Sequence, residues 1–220
     1  MSITIVCAVM NRSDMLKISL MSWLKYKEVS RIIVVDWSSN DLSDDFIKFI
    51  CFLDNRINFI RFDGKDTFHI AGAYNLAVSL VNTEFILKLD VDYILNPYFN
   101  FFDTHKLAFG EFITGDWQWG QLDNQLGFLK YLMGFIFIRT NDFRAIGGYD
   151  ERFDGYGYED TNLYDRLKKK GFTHRLIDVN ILSVYHNPHN DEKRIEHYAE
   201  KDIMKSLQNN LDKHIKGIAD

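Results

Sequence analysis

The sequence reads FILKLDVD at residues 85–92, an apolar run that ends in two aspartates separated by one residue. Such a run, giving way to polar residues, is typical of a buried strand that ends at a turn, here predicted at residues 84–89. Three β-branched runs of similar length precede it, at residues 3–9, 31–35 and 58–62. They alternate with segments of helical spacing, at residues 15–26, 44–52 and 71–81. This alternation predicts a parallel, doubly wound α/β sheet with helices on both faces.

Polar side chains follow each of these four predicted strands. Doubly wound sheets bind ligands outside the carboxyl ends of their strands, so these side chains are candidates for one shared site. Any one of them is also explained as an ordinary turn residue, since strands commonly end in polar turns. The convergence of several carboxylates on one edge is harder to explain in that way. The residues are Asn11 and Arg12, then Asp36, Asp63, Asp90 and Asp92.

The second half of the chain is less regular. Its β-rich runs predict strands at residues 112–114, 133–139, 173–178 and 181–185. Helical spacing predicts short helices at 141–147 and 161–170, and a charged, amphipathic closing helix at 191–215. The chain has 220 residues and no Gly/Ser/Pro linker, which suits a single domain over residues 1–220.

The composition excludes several classes of protein. Hydrophobic residues make up 46% of the chain and aromatic residues 15%, which is the composition of a folded domain. The formal net charge of −5 provides no basic field to attract nucleic acid. Cys7 and Cys51 lie in apolar contexts and predict buried thiols rather than a disulfide scaffold. No apolar stretch reaches the roughly 20 residues of a membrane span, so we expect no transmembrane segment and a cytoplasmic protein.

The aspartate pair after the fourth strand indicates a metal site. Residues two apart point to opposite faces of a strand, but both carboxylates can reach one site where the strand runs into a turn. Carboxylate oxygens suit Mn²⁺ or Mg²⁺ shared with phosphate oxygens, and such a metal would neutralise the charge on a departing diphosphate. A neutral histidine from the segment YHNPH, His186 or His189, would complete the site, although a lone histidine is more often structural.

The stretch GGYDERFDGYGYED at residues 147–160 combines glycines with carboxylates. Gly155 and Gly157 predict a mobile loop that can close over a substrate. Glu159 and Asp160 begin the next predicted helix, where a carboxylate either caps the helix or serves as general base for a sugar hydroxyl.

Two tryptophans lie in a polar segment, DWQWG at residues 116–120. Exposed aromatic rings stack well on the apolar C–H faces of sugars, whereas buried tryptophans are ordinary core residues. We expect at least one of the pair to be buried. Trp117 and Trp119 are therefore candidates for contacts with a carbohydrate acceptor.

In this order and spacing, the motifs resemble those of the GT-A-fold glycosyltransferases, in particular family 2 and the β-1,4-galactosyltransferase group. Family 2 has a second strand and turn similar to IIVVDWSSND, and a helix under the nucleotide similar to AGAYNLAV. The galactosyltransferase group has segments similar to FILKLDVDYILNP and FDGYGYEDTNLYDRL, and a late metal-binding histidine similar to that of YH at 185–186. The resemblance covers roughly residues 3 to 190.

The resemblance implies a GT-A fold, which is one Rossmann-like domain with a mixed, mainly parallel central sheet flanked by helices. It implies nucleotide-sugar binding by residues 1–92, acceptor binding and catalysis by residues 93–190, and a C-terminal helix within residues 191–220. The implied reaction is an inverting, metal-dependent hexosyl transfer from a nucleotide-diphosphate donor, most simply a UDP-sugar. The acceptor would be a hydroxyl of a glycan or another molecule, as in polysaccharide biosynthesis.

The matched motifs also imply residue roles. Asp160 is the expected catalytic base, and Glu159 is expected to position the acceptor beside it. Asp92, with Asp90 and with His186 in preference to His189, is expected to bind Mn²⁺ or Mg²⁺. The nucleotide sugar is expected to contact Asn11, Arg12, Asp36, Asp63, Asn75 and Asp90. The acceptor is expected to contact Trp117, Trp119, Tyr156 and Glu159.

Departures from the family pattern leave the donor and the acceptor open. Trp37 replaces the second aspartate of the family-2 turn, Tyr156 replaces a tryptophan, and Thr161 and Asn162 replace acidic residues. One alternative is a catalytically inactive domain that binds nucleotide or carbohydrate. Another is a sugar-phosphate nucleotidyltransferase, although the segment MNRSDML after the first strand lacks the glycines of such enzymes. A partner domain or protein is also possible, since the closing helix either offers a docking surface or packs on the core.

Overall fold

A computed structural model describes residues 2–98, 100–115, 132–177, 184–187 and 196–219. The strands of this described part are β1 Ile3–Val9, β2 Val29–Trp37, β3 Ile57–Phe62, β4 Phe85–Lys88, β5 Tyr93–Leu95, β6 Glu111–Thr114, β7 Ile136–Arg139, β8 Thr173–Leu176 and β9 Val184–His186. Its α-helices are α1 Ser13–Trp23, α2 Asp44–Leu53, α3 Ile70–Ser79, α4 Phe101–Thr104, α5 Thr140–Ala145, α6 Glu159–Lys169 and α7 Ile203–Ala219.

Seven of these strands form one sheet, in the order β3-β2-β1-β4-β7-β6-β8. The first four run parallel, because β1 pairs with β2 and β4, and β2 pairs with β3, all in parallel. All seven residues of β1 are buried, as expected of a central strand that is covered on both faces. Beyond β4, β7 is antiparallel to both β4 and β6, whereas β8 is parallel to β6. The sheet is therefore mixed and mainly parallel, which confirms the predicted fold class.

The core lies on both faces of this sheet, because successive residues of a strand point in opposite directions. Ile5 and Cys7 of β1 belong to one apolar cluster, together with residues of α1 and partly buried residues of α2. Val6 and Ala8 belong to the other cluster, with residues of α3, α5 and α6. The helices therefore cover both faces, which leaves the edge at the carboxyl ends of the parallel strands as the expected place for a site.

A second sheet was not predicted. In it, β5 pairs antiparallel with β9, so that Tyr93 lies opposite His186. The prediction of one strand over residues 133–139 was wrong at its start, where Leu132–Gly134 form a 3₁₀ turn. The Gly134 N–H donates to the Tyr93 hydroxyl at 3.1 Å, so the backbone here bonds to a side chain instead of a neighbouring strand.

The predicted closing helix at 191–215 begins later than expected. Residues 196–202 are not helical, and the helix starts at Ile203. The reason lies in the contacts of this segment: the Phe68 N–H donates to the His197 carbonyl at 2.7 Å, and the Tyr198 ring is buried against Phe68. Tertiary packing therefore overrides the helical pattern of the sequence here.

Across the described ranges, no helix combines the length and the apolar character that crossing a membrane requires.

Candidate active site

The loops after β1 and β2 are held together by Asn11. This residue adopts a left-handed backbone conformation with φ of 53°. Its N–H donates to the Ser39 Oγ at 2.9 Å, and its Oδ1 accepts from the Asn40 N–H at 2.6 Å. The contact of Asn11 with the nucleotide sugar stays a prediction. The two hydrogen bonds of Asn11 hold the loops together at the edge of the sheet where that contact would form.

Asp36, at the end of β2, is a buried carboxylate with an unsatisfied oxygen. Its Oδ1 accepts from the Ser39 N–H at 3.0 Å, while its buried Oδ2 makes no hydrogen bond within the described residues. The Arg61 Nε lies 3.5 Å from this Oδ2 and 3.2 Å from an oxygen of the exposed Asp63. Burial raises the pKa of Asp36, which the nearby Ser39 and Arg61 only partly offset. Arg61 thus joins two predicted nucleotide-binding carboxylates, and the sequence analysis did not single it out.

Asp92 and His186 stand side by side, as predicted. The His186 Nε2 lies 3.4 Å from the Asp92 Oδ2, and both side chains are buried. The β5–β9 pairing brings them together, because the Asn187 N–H donates to the Asp92 carbonyl at 2.7 Å. The Arg12 guanidinium lies 3.0 Å from the same Asp92 oxygen. As expected, strand β4 is followed by a turn at residues 91–92. His189, the other histidine considered for the metal, lies outside the described residues.

Asp90, the first aspartate of the pair, faces a different set of partners. The Tyr74 hydroxyl donates to its Oδ1 at 2.7 Å, and the Lys88 Nζ lies 2.9 Å from the same oxygen. Within the described ranges, no three His, Cys, Asp or Glu side chains are grouped closely enough to hold a metal ion. The Asp92–His186 pair is therefore the nearest approach to the predicted metal site in the described structure.

Glu159 and Asp160 form the first turn of α6, as predicted, and both are buried. The helix is preceded by Tyr158 in the left-handed conformation, with φ of 70°. The Tyr149 hydroxyl donates to the Asp160 Oδ1 at 2.7 Å. Burial raises the pKa of Asp160 to about 6, against the lowering effect of Lys88. Burial, together with the charge of Asp160, raises the pKa of Glu159 to about 8. A carboxyl group whose pKa is raised toward neutral pH suits a general base, because it can accept a proton near that pH.

Lys88 is a functional candidate that the sequence analysis missed. It lies in the buried strand β4 with 1% of its surface exposed. Its ammonium lies 2.9 Å from Asp90 and 3.4 Å from Asp160, and it donates to the Gly134 carbonyl. Burial acts to lower its pKa, but Asp160 and Asp90 outweigh that effect and raise it. The signal in the sequence was the single charged residue inside the apolar run FILKL.

The loop at residues 155–158 packs against α7 instead of standing free. The Tyr156 N–H donates to the Ser206 Oγ at 2.7 Å, and the Asn210 Nδ2 donates to the Gly157 carbonyl at 2.9 Å. A Cβ at Gly155 would lie 2.5 Å from the Ser206 Oγ, so the close approach requires glycine. Tyr156 is half-buried, with its ring 6.2 Å from that of Tyr198. Its predicted acceptor contact stays a prediction.

Asn75 is engaged with the loop after α5. Its Nδ2 donates to the Tyr149 carbonyl and to the Glu151 Oε1, both at 2.9 Å, and its Oδ1 accepts from the Tyr149 N–H at 2.9 Å. These bonds hold the loop that carries Tyr149, a partner of Asp160. A direct contact of Asn75 with the nucleotide stays a prediction. The predicted acceptor residues Trp117 and Trp119 lie outside the described residues.

Comparisons with known sequences give two family matches. Residues 4–143 match the model described as glycosyl transferase family 2. Residues 119–190 match the model described as the N-terminal domain of galactosyltransferase. No curated protein matches the chain in sequence.

Solved structures of low sequence identity share the fold. The mannosyltransferase PcManGT from Pyrobaculum calidifontis, in complex with GDP-Man and Mn²⁺, has a TM-score of 0.62 at 11% identity, over 80% of this chain and 55% of that one. A mutant of Drosophila β1,4-galactosyltransferase 7, in complex with manganese, UDP-Gal and xylobiose, has a TM-score of 0.60 at 15% identity. This match covers 92% of this chain and 77% of that one. GalNAc-T7 with UDP, GalNAc and Mn²⁺ has a TM-score of 0.64 at 14% identity, over 80% of this chain and 42% of that one.

These neighbours are GT-A glycosyltransferases, so the predicted GT-A fold is confirmed. The chain spans about half the length of the mannosyltransferase that it matches.

Proposed function

We propose that this chain, which belongs to glycosyl transferase family 2, moves a sugar from a UDP-sugar to a hydroxyl of a glycan or another acceptor, with inversion. One observation carries the proposal. The buried carboxylate of Asp160 lies within 3.4 Å of an ammonium, Lys88, that also contacts Asp90 of the D-x-D segment. A candidate base for the acceptor thus stands beside a candidate donor-binding carboxylate.

The donor side is supported by Asp36. Its buried Oδ2 makes no hydrogen bond in the described structure, although the Arg61 Nε lies 3.5 Å away, and a buried carboxylate oxygen without a hydrogen bond is costly. A base N–H or a ribose hydroxyl would satisfy it, with Asn11, Arg12 and Asp63 on the neighbouring strand ends. Related folds bind GDP-Man in one case and UDP-Gal in another. Our preference for a UDP-sugar rests on the galactosyltransferase-like motifs.

The residues present fit a divalent metal. Asp92 offers a carboxylate oxygen and His186 an imidazole nitrogen, 3.4 Å apart, and this mixed donor set suits Mn²⁺. Asp90 or phosphate oxygens of the donor would complete the coordination. When bound, Mn²⁺ or Mg²⁺ supplies positive charge that stabilises the leaving diphosphate. Arg12, beside Asp92, adds a fixed cation near the same place.

The chemistry of the acceptor falls to the first turn of α6. Asp160 takes the proton from the acceptor hydroxyl, whose oxygen attacks the anomeric carbon. The bond from that carbon to the diphosphate oxygen breaks, and the electron pair leaves with the diphosphate. Glu159 positions the acceptor, and the loop at 155–158 excludes water that would otherwise hydrolyse the donor. A single in-line displacement inverts the configuration.

The first test is ligand-dependent thermal unfolding, with UDP, GDP, CMP and dTDP each measured with and without Mn²⁺. A ligand that binds only the folded state raises the apparent stability. We expect stabilisation by UDP that requires Mn²⁺ and is lost in Asp92→Ala but kept in Asp103→Ala, a control on the exposed surface of α4. No stabilisation by any nucleotide would contradict the proposal. Stabilisation by GDP in place of UDP would show that the donor is a GDP-sugar.

The second test is sugar transfer itself. Asp160→Asn should lower the rate of transfer about 1,000-fold, to a residual rate that can still be measured, while nucleotide binding changes little, because the base acts on the acceptor. The anomeric configuration of the product, read by NMR, tests inversion. The division into donor-binding and acceptor-binding halves, the role of Trp117 and Trp119, and a cytoplasmic location stay predictions from the sequence.

A further inference from the structure

Lys88 is an unusual residue for the centre of a sheet. In register it lies between Val6 of β1 and Ile136 of β7, and 1% of its surface is exposed. Burying an ammonium group is strongly unfavourable unless charges and hydrogen bonds compensate for the lost water. The partners of Lys88 therefore indicate why a charge stands here.

Those partners saturate the ammonium group. A lysine ammonium has three N–H donors. Around Lys88 lie three acceptors: the carboxylates of Asp90 at 2.9 Å and Asp160 at 3.4 Å, and the Gly134 carbonyl. Asp90 belongs to the turn after β4, whereas Asp160 belongs to α6, 70 residues further along the chain. Lys88 thus joins two separate parts of the site.

Two tyrosines lie beside this cation, and each of them also donates a hydrogen bond to one of the two carboxylates. The ammonium lies 4.5 Å from the centre of the Tyr74 ring and 5.9 Å from that of Tyr149. The Tyr74 hydroxyl donates to Asp90, and the Tyr149 hydroxyl donates to Asp160, each at 2.7 Å. Each carboxylate is therefore held by Lys88 and by one tyrosine. Such a network leaves little rotational freedom to either carboxylate.

We propose that Lys88 is a positioning residue that holds the acceptor-side base Asp160 in fixed relation to the donor-side carboxylate Asp90. The inference rests on the proposed function, because it takes Asp160 as the base. Lys88 itself touches neither substrate. Its ammonium separates two carboxylates that would otherwise repel each other, and it keeps the Asp160 oxygen aimed at the acceptor hydroxyl while the donor is bound beside Asp90.

The test is a double-mutant cycle on the rate of transfer. Lys88→Met keeps an unbranched apolar side chain, one heavy atom shorter, but removes the charge and the N–H donors. We expect kcat to fall about 100-fold, the loss typical of a reacting group displaced by about 1 Å. The donor KM and the Kd for UDP should stay within about threefold. Lys106→Met, which makes the same exchange at an exposed lysine, should keep the wild-type kcat.

The cycle separates positioning from general damage to the fold. In an Asp160→Asn background, Lys88→Met should lower the residual rate less than threefold, because the group that it positions is gone. An equal loss in both backgrounds would overturn the proposal, as would a folded Lys88→Met enzyme with wild-type kcat. If Asp160→Asn itself transfers at the wild-type rate, the proposed function fails first, and this role fails with it.

A second variant keeps the test decisive if Lys88→Met does not fold. Lys88→Arg retains the positive charge and several donors, so it should recover kcat to within about tenfold of wild type. Lys88→Gln, of similar reach but neutral, should not. Equal kcat values for the Arg and Gln variants would overturn the proposal.

Discussion

Replacing Gly134 by alanine should disable the enzyme while leaving it folded. A Cβ at this position would lie 2.4 Å from the Asp90 Oδ2, 3.0 Å from the Tyr93 hydroxyl and 3.4 Å from the Asp160 Oδ2. Ordinary van der Waals contact begins at 3.4 Å, so the Asp90 carboxylate must retreat by about 1 Å. A displacement of that size at a reacting centre typically costs about 100-fold in rate. Overpacking of this kind costs about 1–3 kcal/mol of stability.

The assay compares kcat for sugar transfer with the thermal midpoint of the same preparation. Gly110→Ala is the matched control, because its backbone has φ of +73° and a Cβ there would meet nothing within 4 Å. That variant should lose about 1 kcal/mol to backbone strain and keep its kcat. A Gly134→Ala enzyme with wild-type kcat would refute the reasoning, since Asp90 and Asp160 would then tolerate displacement.

Four further predictions concern the site and its surroundings. Transfer should fall as the pH is lowered through about 6, because the raised pKa of Asp160 leaves the base protonated below that value; a flat rate from pH 5 to 8 would contradict this. The same shift makes stability fall as pH rises from about 4 to 6, since the folded state holds the proton longer. Asp160→Asn should reduce that slope in urea titrations but not abolish it, because the raised pKa of Glu159 acts in the same direction from 4.5 to about 8. Arg61→Met should cost about 3 kcal/mol in urea unfolding, because it leaves Asp36 buried without its cation; an unchanged midpoint would show that the pair contributes nothing. Ser206→Ala should cost about 1 kcal/mol by removing the bond to the Tyr156 N–H, and no loss would mean that water replaces it.

The first half of the fold was predictable because its strands are continuous apolar runs. Strand β1 matches its predicted bounds, since every residue is buried and the pattern stands out from its surroundings. Strand β5 could not be predicted, because it has three residues and its partner β9 lies some 90 residues away in sequence. Non-local pairing of this kind leaves no local signal. The start of α7 was misplaced for a related reason, since the burial of Tyr198 depends on Phe68.

The site was predictable in part, for residues whose chemistry stands at the end of an element. Asp92, His186, Glu159 and Asp160 were singled out in this way, and the structure brings Asp92 and His186 together. Lys88 was not singled out, because its role depends on contacts that the local sequence does not show, above all the one with Asp160, 72 residues away. The roles of all these residues in catalysis stay predictions.

The packing of α7 on the loop at 155–158 sets a time scale for access to the site. Moving the loop requires breaking its bonds to Ser206 and Asn210, or moving α7 with it. A free loop of four residues rearranges in nanoseconds to microseconds, whereas displacement of a 17-residue helix is a collective motion of microseconds to milliseconds. Entry of the acceptor and release of the product would then both require α7 to undock, so the opening of the loop would follow the slower motion of the helix.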